Sequence, residues 1–308
     1  MERQLPGSIL RELPPHLPAL LDNETCVYCG TCLDGVPVTK EHVIGRRFIP
    51  KGKLDGQWNL IVRACERCNK LKADLEDDLS AISMHADVRG RHAEPDQVLI
   101  AEAARKAERS MSRRTGKAVK DSFETLTVRW PIAPGAELEY NAVGPPQANS
   151  DRVFELSRLQ IMAIFYWLTY DYTIKRGRYW QGEFLPIVEA ARSDWGNLVH
   201  RAFMEAVLNW EPRILAIGAG GFFKVAIRRH PSAVCWSWAL EWNQNYRIVG
   251  FCGEQEPAEQ LTSTFPKLEI ITVAQRGPDW VGYRKEIPLA EEDDKLFHWK
   301  VEGNVSEA

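Results

Sequence analysis

Two CxxC pairs, an acid beside a histidine, and two asparagines fall between Cys26 and Asn69 at spacings that suit metal chemistry. Cys26 with Cys29 and Cys65 with Cys68 supply four thiolates, the number that a closed tetrahedral zinc site needs. Two intervening residues let both sulfurs of a pair face one ion, and Gly30 relieves the first turn of its Cβ penalty. Cys32 competes for a pairing with Cys29 but is followed by Leu33, so Cys26 and Cys29 are taken as ligands. The alternative for such pairs is a redox dithiol. Between the pairs, Glu41 adjoins His42 and Asn59 follows a turn, while Asn69 comes directly after Cys68.

Together KEHVIGRRFIP from Lys40, WNLIVRACERCNKLK from Trp58 and the upstream Cys26–Cys29 pair resemble the HNH nuclease family. Its catalytic unit is a β-hairpin packed on a helix around one metal ion, often braced by a four-cysteine zinc. The resemblance runs from Cys26 to Ser83. It implies that His42 is the general base that deprotonates water, that Glu41 and Asn69 hold the catalytic metal, and that Asn59 fixes the hairpin and orients His42. These roles make chemical sense. A histidine titrating near pH ~6.5 can accept a proton when neutral. Glutamate and amide oxygens suit a hard divalent ion and leave positions for water and phosphate. The third family position is often histidine and is Asn69 here, an HNN form, which favours Mg²⁺ or Mn²⁺ over zinc or nickel in the catalytic site. Individually these residues have ordinary readings, His42 as packing or surface and the asparagines as turn and cap residues. Their joint spacing around the cysteines is what favours catalysis.

Those residues must be positioned by a hairpin and a helix. Strands are predicted over Val38–Ile44 and Leu60–Arg63, with a loop over Lys51–Gln57, where Gly52, Asp55 and Gly56 are turn formers. The helix after Cys68 should continue through Leu71, Leu75 and Leu79 toward Ile82, with Asp74, Glu76, Asp77 and Asp78 forming a solvated acidic face. His85 and His92 lack ligand spacing and are read as surface residues. Pro95 should start a further helix running to Met111, interrupted by Gly116, followed by a strand over Ser122–Trp130 and a linker punctuated by prolines to Pro146. Beyond it, a buried helix is predicted over Val153–Tyr170 and another over Gly196–Asn209. Strands are expected over Arg213–Ile217, Phe222–Arg229, Ala233–Trp242, Tyr246–Cys252 and Leu268–Thr272, with a turn at Asn243–Asn245 that makes the sheet antiparallel. The glycines at Gly218–Gly221 precede a strand and are read as a turn rather than a dinucleotide loop. Trp236, Trp238 and Trp242 share one strand face, as core or as a stacking surface for bases.

The expected architecture is α+β: an N-terminal ββα-metal nuclease module with structural zinc, then a C-terminal α+β domain with a mostly antiparallel sheet. It divides into a Pro-rich arm (1–24), the nuclease module (25–85), a basic helix and linker (86–150) and a recognition, sensing or assembly domain (151–308). The net charge of −3 conceals an asymmetry. Residues 1–120 carry 20 Lys/Arg against 17 Asp/Glu, and Lys40–Lys72 alone carries nine basic residues against three acidic. Such clusters attract phosphate backbones through counterion release, and the candidate contacts are Arg46, Arg47, Lys51, Lys53 and Lys72, followed by Arg109, Arg113, Arg114 and Lys117. The opening residues lack an apolar signal core, and the apolar run at Ile161–Leu168 is too short to span a bilayer, so no membrane partner and a cytoplasmic location are expected. Cys235 and Cys252 lie in apolar runs and read as reduced core residues.

These features point to an endonuclease that hydrolyses DNA phosphodiesters, nicking one strand per active site. By family resemblance the products carry 3′-hydroxyl and 5′-phosphate ends. A nuclease joined to a private C-terminal module is a layout of restriction and antiviral defence effectors, in which a homodimer or defence-system partner would be the protein contact. The alternatives are a zinc-braced nucleic-acid binder with a degenerate metal site, and an RNA-directed nuclease.

Overall fold

The computed structural model describes residues 17–86, 92, 96–268, 271–276, 279–283 and 285–297. The chain begins with a short strand, β1 (Ala19–Leu20), followed by β2 (Val38–His42), β3 (Leu60–Cys65) and helix α1 (Glu66–Ser83). β2 pairs antiparallel with β3, setting His42 opposite Ile61 and Glu41 opposite Val62, while β1 adds to the other edge of β3 in parallel. Asn23 locks that edge, its buried amide exchanging hydrogen bonds of 2.8 and 2.7 Å with the Arg63 backbone. Part of the expected arm, Ala19–Leu20, thus belongs to this small sheet.

α1 buries Cys68, Lys72, Leu75, Leu79 and Ile82, spaced by three and four residues along one face. Of the expected solvated acidic face, Asp74 and Asp77 are exposed, whereas Glu76 and Asp78 turn inward. Asp78 is 1% exposed and receives Arg152 at 2.8 Å, and the more open Asp74 and Asp77 pair with Arg113 at 2.7 and 3.5 Å. Arginines from later in the chain turn these carboxylates into tertiary clamps.

Asp96 caps α2 (Gln97–Arg109) by accepting from the Val98 amide at 2.7 Å. Pro95, where this helix was expected to begin, lies outside the described residues. α2 ends before Met111, and a tight turn closes with Gly116 donating to the Ser112 carbonyl at 2.8 Å, so the basic run is divided between a helix and a loop. β4 (Glu124–Ala133) then pairs with β5 (Ala136–Gly144). The second strand lies where the prolines and glycines suggested a linker; Gly135, at φ +78°, makes the turn between the two.

α3 (Ser150–Leu168) starts at Asn149, whose side chain accepts from the Arg152 amide. A five-stranded antiparallel sheet follows, built from β6 (Glu183–Ala191), β7 (Glu211–Gly218), β8 (Phe223–Arg229), β9 (Cys235–Trp242) and β10 (Tyr246–Gly253) in the order β6-β10-β9-β8-β7. α4 (Leu198–Val207), α5 (Gln255–Thr262) and a hairpin of β11 (Ile271–Arg276) with β12 (Asp279–Tyr283) accompany this sheet, and the described segment 285–297 follows them. The structure is therefore α+β with an antiparallel main sheet.

Both faces of that sheet are covered, which is why β9 is buried at every position. One face packs on α3 and the β2–β3–α1 unit, in a single apolar cluster running from Leu21 to Cys252. The core is therefore continuous across the boundary expected near Pro146. Trp236, Trp238 and Trp242 all point into it, with Trp236 edge-on to Phe165 at 5.0 Å and the Trp242 indole donating to Gln160 at 2.9 Å. At 1% exposure or less they are closed to bases, so the stacking reading is set aside in favour of packing. Alternate residues of the same strands, such as Ala226, Cys235, Ala239 and Phe251, pack on α4 and α5. Cys235 and Cys252 are free buried thiols. Among the described residues no helix is long and apolar enough to cross a membrane.

Candidate metal centre and cleft

The sulfurs of Cys26, Cys29, Cys65 and Cys68 all lie within 4.8 Å of one another, a cluster that could hold a metal such as zinc. Local backbone geometry brings them there. The Gly30 amide donates to the Cys26 carbonyl at 2.9 Å and the Cys26 amide to the Thr31 carbonyl at 2.8 Å, closing the first knuckle with Gly30 at φ +74°. The second pair spans the junction from β3 to α1, with Cys65 as the helix N-cap and Cys68 on the first turn. The Tyr179 hydroxyl donates to the Cys26 carbonyl at 2.6 Å, tying the knuckle to the segment after α3. Cys32 lies outside the cluster, exposed, in an isolated bridge with Thr25.

Beside this unit opens a cleft of about 900 Å³ whose lining includes Glu41, His42 and Asn69. Asn59 does not line it. Its buried amide brackets Ile44, accepting from the Ile44 amide at 3.1 Å and donating to the Ile44 carbonyl at 2.9 Å, and so pins the chain two residues beyond His42. The His42 Nε2 atom is buried without a hydrogen-bond partner among the described residues. Burial, reinforced by Arg46, Lys40 and Lys72, pushes the imidazole below its usual range, so it is neutral at neutral pH.

Glu41 has a neighbour the sequence did not advertise. Lys72, fully buried, places its ammonium 2.7 Å from Glu41 Oε1, 2.5 Å from Glu76 Oε1 and 3.1 Å from the His42 carbonyl. Burial works against this charge, but the two carboxylates more than offset it and hold the lysine above its usual range. Burial also pushes Glu76 up, against the pull of Lys72. The Tyr28 hydroxyl donates to Glu41 Oε1 at 3.4 Å, and burial together with Glu41 keeps that phenol protonated. Gly45 permits the arrangement: a Cβ there would lie 2.3 Å from Glu76 Oε2. Lys72 is thus corrected from a phosphate contact to a buried structural cation. Two carboxylates and a backbone carbonyl take the hydrogen bonds that a nucleic acid would need.

The remaining basic candidates divide by location. Arg46, Arg47, Lys51 and Arg109 line the cleft, joined by Lys40, Arg105 and Lys106. Among the described residues no ion pair joins Lys40, Arg46, Arg47, Lys51 or Arg109 to a carboxylate. Lys106 is different: its amine donates to the Arg47 carbonyl at 2.6 Å and Ser80 Oγ at 2.8 Å, and burial pushes it down to about 8. Lys53 lies away from the cleft, over the Phe222 ring at 5.3 Å. Arg113 is committed to Asp74 and Asp77, Arg114 reaches toward the Ala148 carbonyl, and exposed Lys117 lies outside the cleft. These four are therefore not part of the cleft's charged rim, because the loop after α2 turns the last three away from it.

Comparison of the chain with family models, with curated proteins and with solved structures gives no match. The site's chemistry has to be judged on its own residues. For a catalytic divalent ion they offer Glu41 Oε2, which neither Lys72 nor Tyr28 engages, and the Asn69 amide oxygen. That donor set suits a hard ion that keeps much of its water, as Mg²⁺ and Mn²⁺ do.

Proposed function

We propose that this chain is an HNH-type, ββα-metal endonuclease that hydrolyses DNA phosphodiesters. The observation that carries the reading is the shared cleft: a neutral histidine, whose buried Nε2 has no hydrogen-bond partner among the described residues, lines it together with a carboxylate, an amide and a rim of cations. The rim cations Lys40, Arg46, Arg47, Lys51 and Arg109 draw in the phosphate backbone and hold it across the opening. His42 takes the proton of the attacking water, and its depressed pKa keeps it in the form that can do so. Glu41 and Asn69 would hold a bound Mg²⁺ or Mn²⁺, which supplies charge stabilisation at the phosphate oxygens. Asn59 acts through Ile44, fixing the end of the strand that carries His42. Zinc in the cysteine cluster braces the junction from β3 to α1, keeping Asn69 in register with the strand bearing Glu41.

The test is plasmid nicking by the wild type and His42→Ala, with Mg²⁺ and with chelator. Supercoiled DNA should pass to the open circle, stop with chelator, and slow by about 10²–10⁴-fold in the variant, the usual worth of a positioned base. Near-normal cleavage by a folded His42→Ala protein would show that the catalytic assignment is wrong. A second reading, a zinc-braced nucleic-acid binder, is favoured by the Lys72–Glu41 contact, which already neutralises the proposed metal ligand. Salt-dependent DNA binding without any metal-dependent nicking would select it, and parallel RNA substrates test the RNA-directed alternative.

A further inference from the structure

A second group of buried charges lies on the far side of the main sheet, remote in sequence from the cleft residues. Arg247 on β10 is 1% exposed and directs both Nε and Nη2 at Glu241 Oε2, at 2.9 and 2.8 Å. Lys224 on β8 reaches the other oxygen of Glu241 at 2.8 Å. Glu241 is therefore shared between two cations, and the three side chains carry one net positive charge. The Trp195 ring lies under the Arg247 guanidinium at 3.7 Å.

The missing negative charge comes from the far end of the described chain. The segment 285–297 crosses this face, held by the Gly196 amide donating to the Ile287 carbonyl at 2.7 Å and the Ile287 amide donating to Asp194 Oδ1 at 3.1 Å. It inserts Asp294 against Arg247 Nη2 and seats Phe297, 3% exposed, 5.3 Å from the same guanidinium. Even so the polar groups here are incompletely satisfied. Arg247 Nη1 and both ring nitrogens of His200, itself 2% exposed, are buried without hydrogen-bond partners among the described residues. Burying such groups costs free energy that apolar packing would avoid, so they are weak evidence for a purely stabilising role.

We propose that the Arg247–Lys224 pair, backed by Trp195 and His200, is an oxyanion-binding site for a phosphate or carboxylate group, and that Asp294 fills it from within the chain. The strap cannot lift from a buried guanidinium unless another anion replaces its carboxylate, so occupancy and strap position are linked. A planar guanidinium whose Nη1 has no hydrogen-bond partner among the described residues suits a two-pronged oxyanion, and Lys224 adds a point charge beside it. The site would give the sheet-bearing half of the chain a ligand of its own, independent of whether the cleft is a nuclease.

The experiment removes the internal anion from the full-length protein. Asp294→Ala, and Asp294→Asn as the more conservative variant, are titrated with inorganic phosphate and separately with acetate, following tryptophan fluorescence and the melting temperature. Either variant should gain saturable anion binding at least tenfold tighter than the wild type, with a melting temperature that rises with ligand. Phosphate without acetate, or the reverse, tells which oxyanion the site prefers. Adding Arg247→Met to the folded Asp294 variant should abolish the response. Folded Asp294 variants that bind no better than wild type, or whose response survives Arg247→Met, overturn the proposal.

Discussion

Replacing Lys72 with methionine gives the sharpest test of how the cleft is built. Methionine keeps the length of the side chain but removes an ammonium that touches Glu41, Glu76 and the His42 carbonyl at 2.7, 2.5 and 3.1 Å. The three side chains are 1%, 8% and 14% exposed for Lys72, Glu41 and Glu76, so solvent cannot take over from the lysine. Breaking a buried pair by removing one partner costs about 3–5 kcal/mol, because the other charge stays behind. Here two carboxylates stay behind, which puts Lys72→Met toward the upper end of that range. That is a large share of the ~5–15 kcal/mol by which domains are stable.

The pH dependence has a definite sign. Glu76 is already raised above the usual carboxylate range by burial, and losing Lys72 removes what pulled it down. A carboxyl raised in the folded state contributes stability below its unfolded pKa near ~4.3, and that contribution is lost as pH rises through the folded value. The variant should therefore be most destabilised at pH 7 to 8 and recover toward pH 5, as measured by urea unfolding at each pH. Lys72→Met with Glu76→Gln should regain much of the loss at pH 7. A loss under ~1 kcal/mol at pH 7, or one independent of pH, would refute the buried triad as the organiser of this site.

Metal removal probes the neighbouring unit: Cys65→Ser should release zinc, read by native mass spectrometry, and lower the melting temperature, since the cluster ties the first knuckle to the junction from β3 to α1. Charge reversal at Arg46, Arg47 and Arg109 should weaken DNA binding and flatten its salt dependence in a filter or anisotropy assay. Arg113→Ala should leave that slope unchanged and lower the melting temperature, because Arg113 serves Asp74 and Asp77. His200 is pushed down to about 3 by burial, with Arg247 adding to it, so the unfolded chain takes up a proton below pH ~6.5 that the native state refuses. Stability should fall with acidification by about 2 kcal/mol between pH 7.5 and 5 on this account, and His200→Gln should remove that part of the slope.

What was readable in the sequence was whatever rests on local spacing. The two CxxC pairs, the antiparallel hairpin that carries His42 and most strands of the main sheet follow from neighbours within a few residues, whereas the helix expected after Cys68 starts earlier, at Glu66, because Cys65 is its N-cap. What was not readable depends on distant partners. Asp78 looks like part of a solvated face until Arg152 arrives from another element to bury it, and the basic residues from Arg109 to Lys117 look like one surface until the turn at Gly116 divides them. β5 was hidden because it contributes no buried residue among those described, and the prolines and glycines around it read as a linker.

Lys72 falls between these cases. It stands on the same stripe of α1 as Cys68, Leu75, Leu79 and Ile82, so the helical period alone places its side chain inside. A lysine at a core position requires a buried acid, and Glu76 one turn later is the nearest available. The period and the nearby acid pointed inward, while the charge of a basic residue after CxxCN invited reading it as a phosphate ligand. Burial pattern outranks charge when the two disagree, because leaving an ammonium unpaired inside costs several kcal/mol while an ion pair at the surface is worth about one at most. By the same reasoning the cations that can meet an incoming anion are those off the buried stripe and lining the cleft: Lys40, Arg46, Arg47, Lys51 and Arg109.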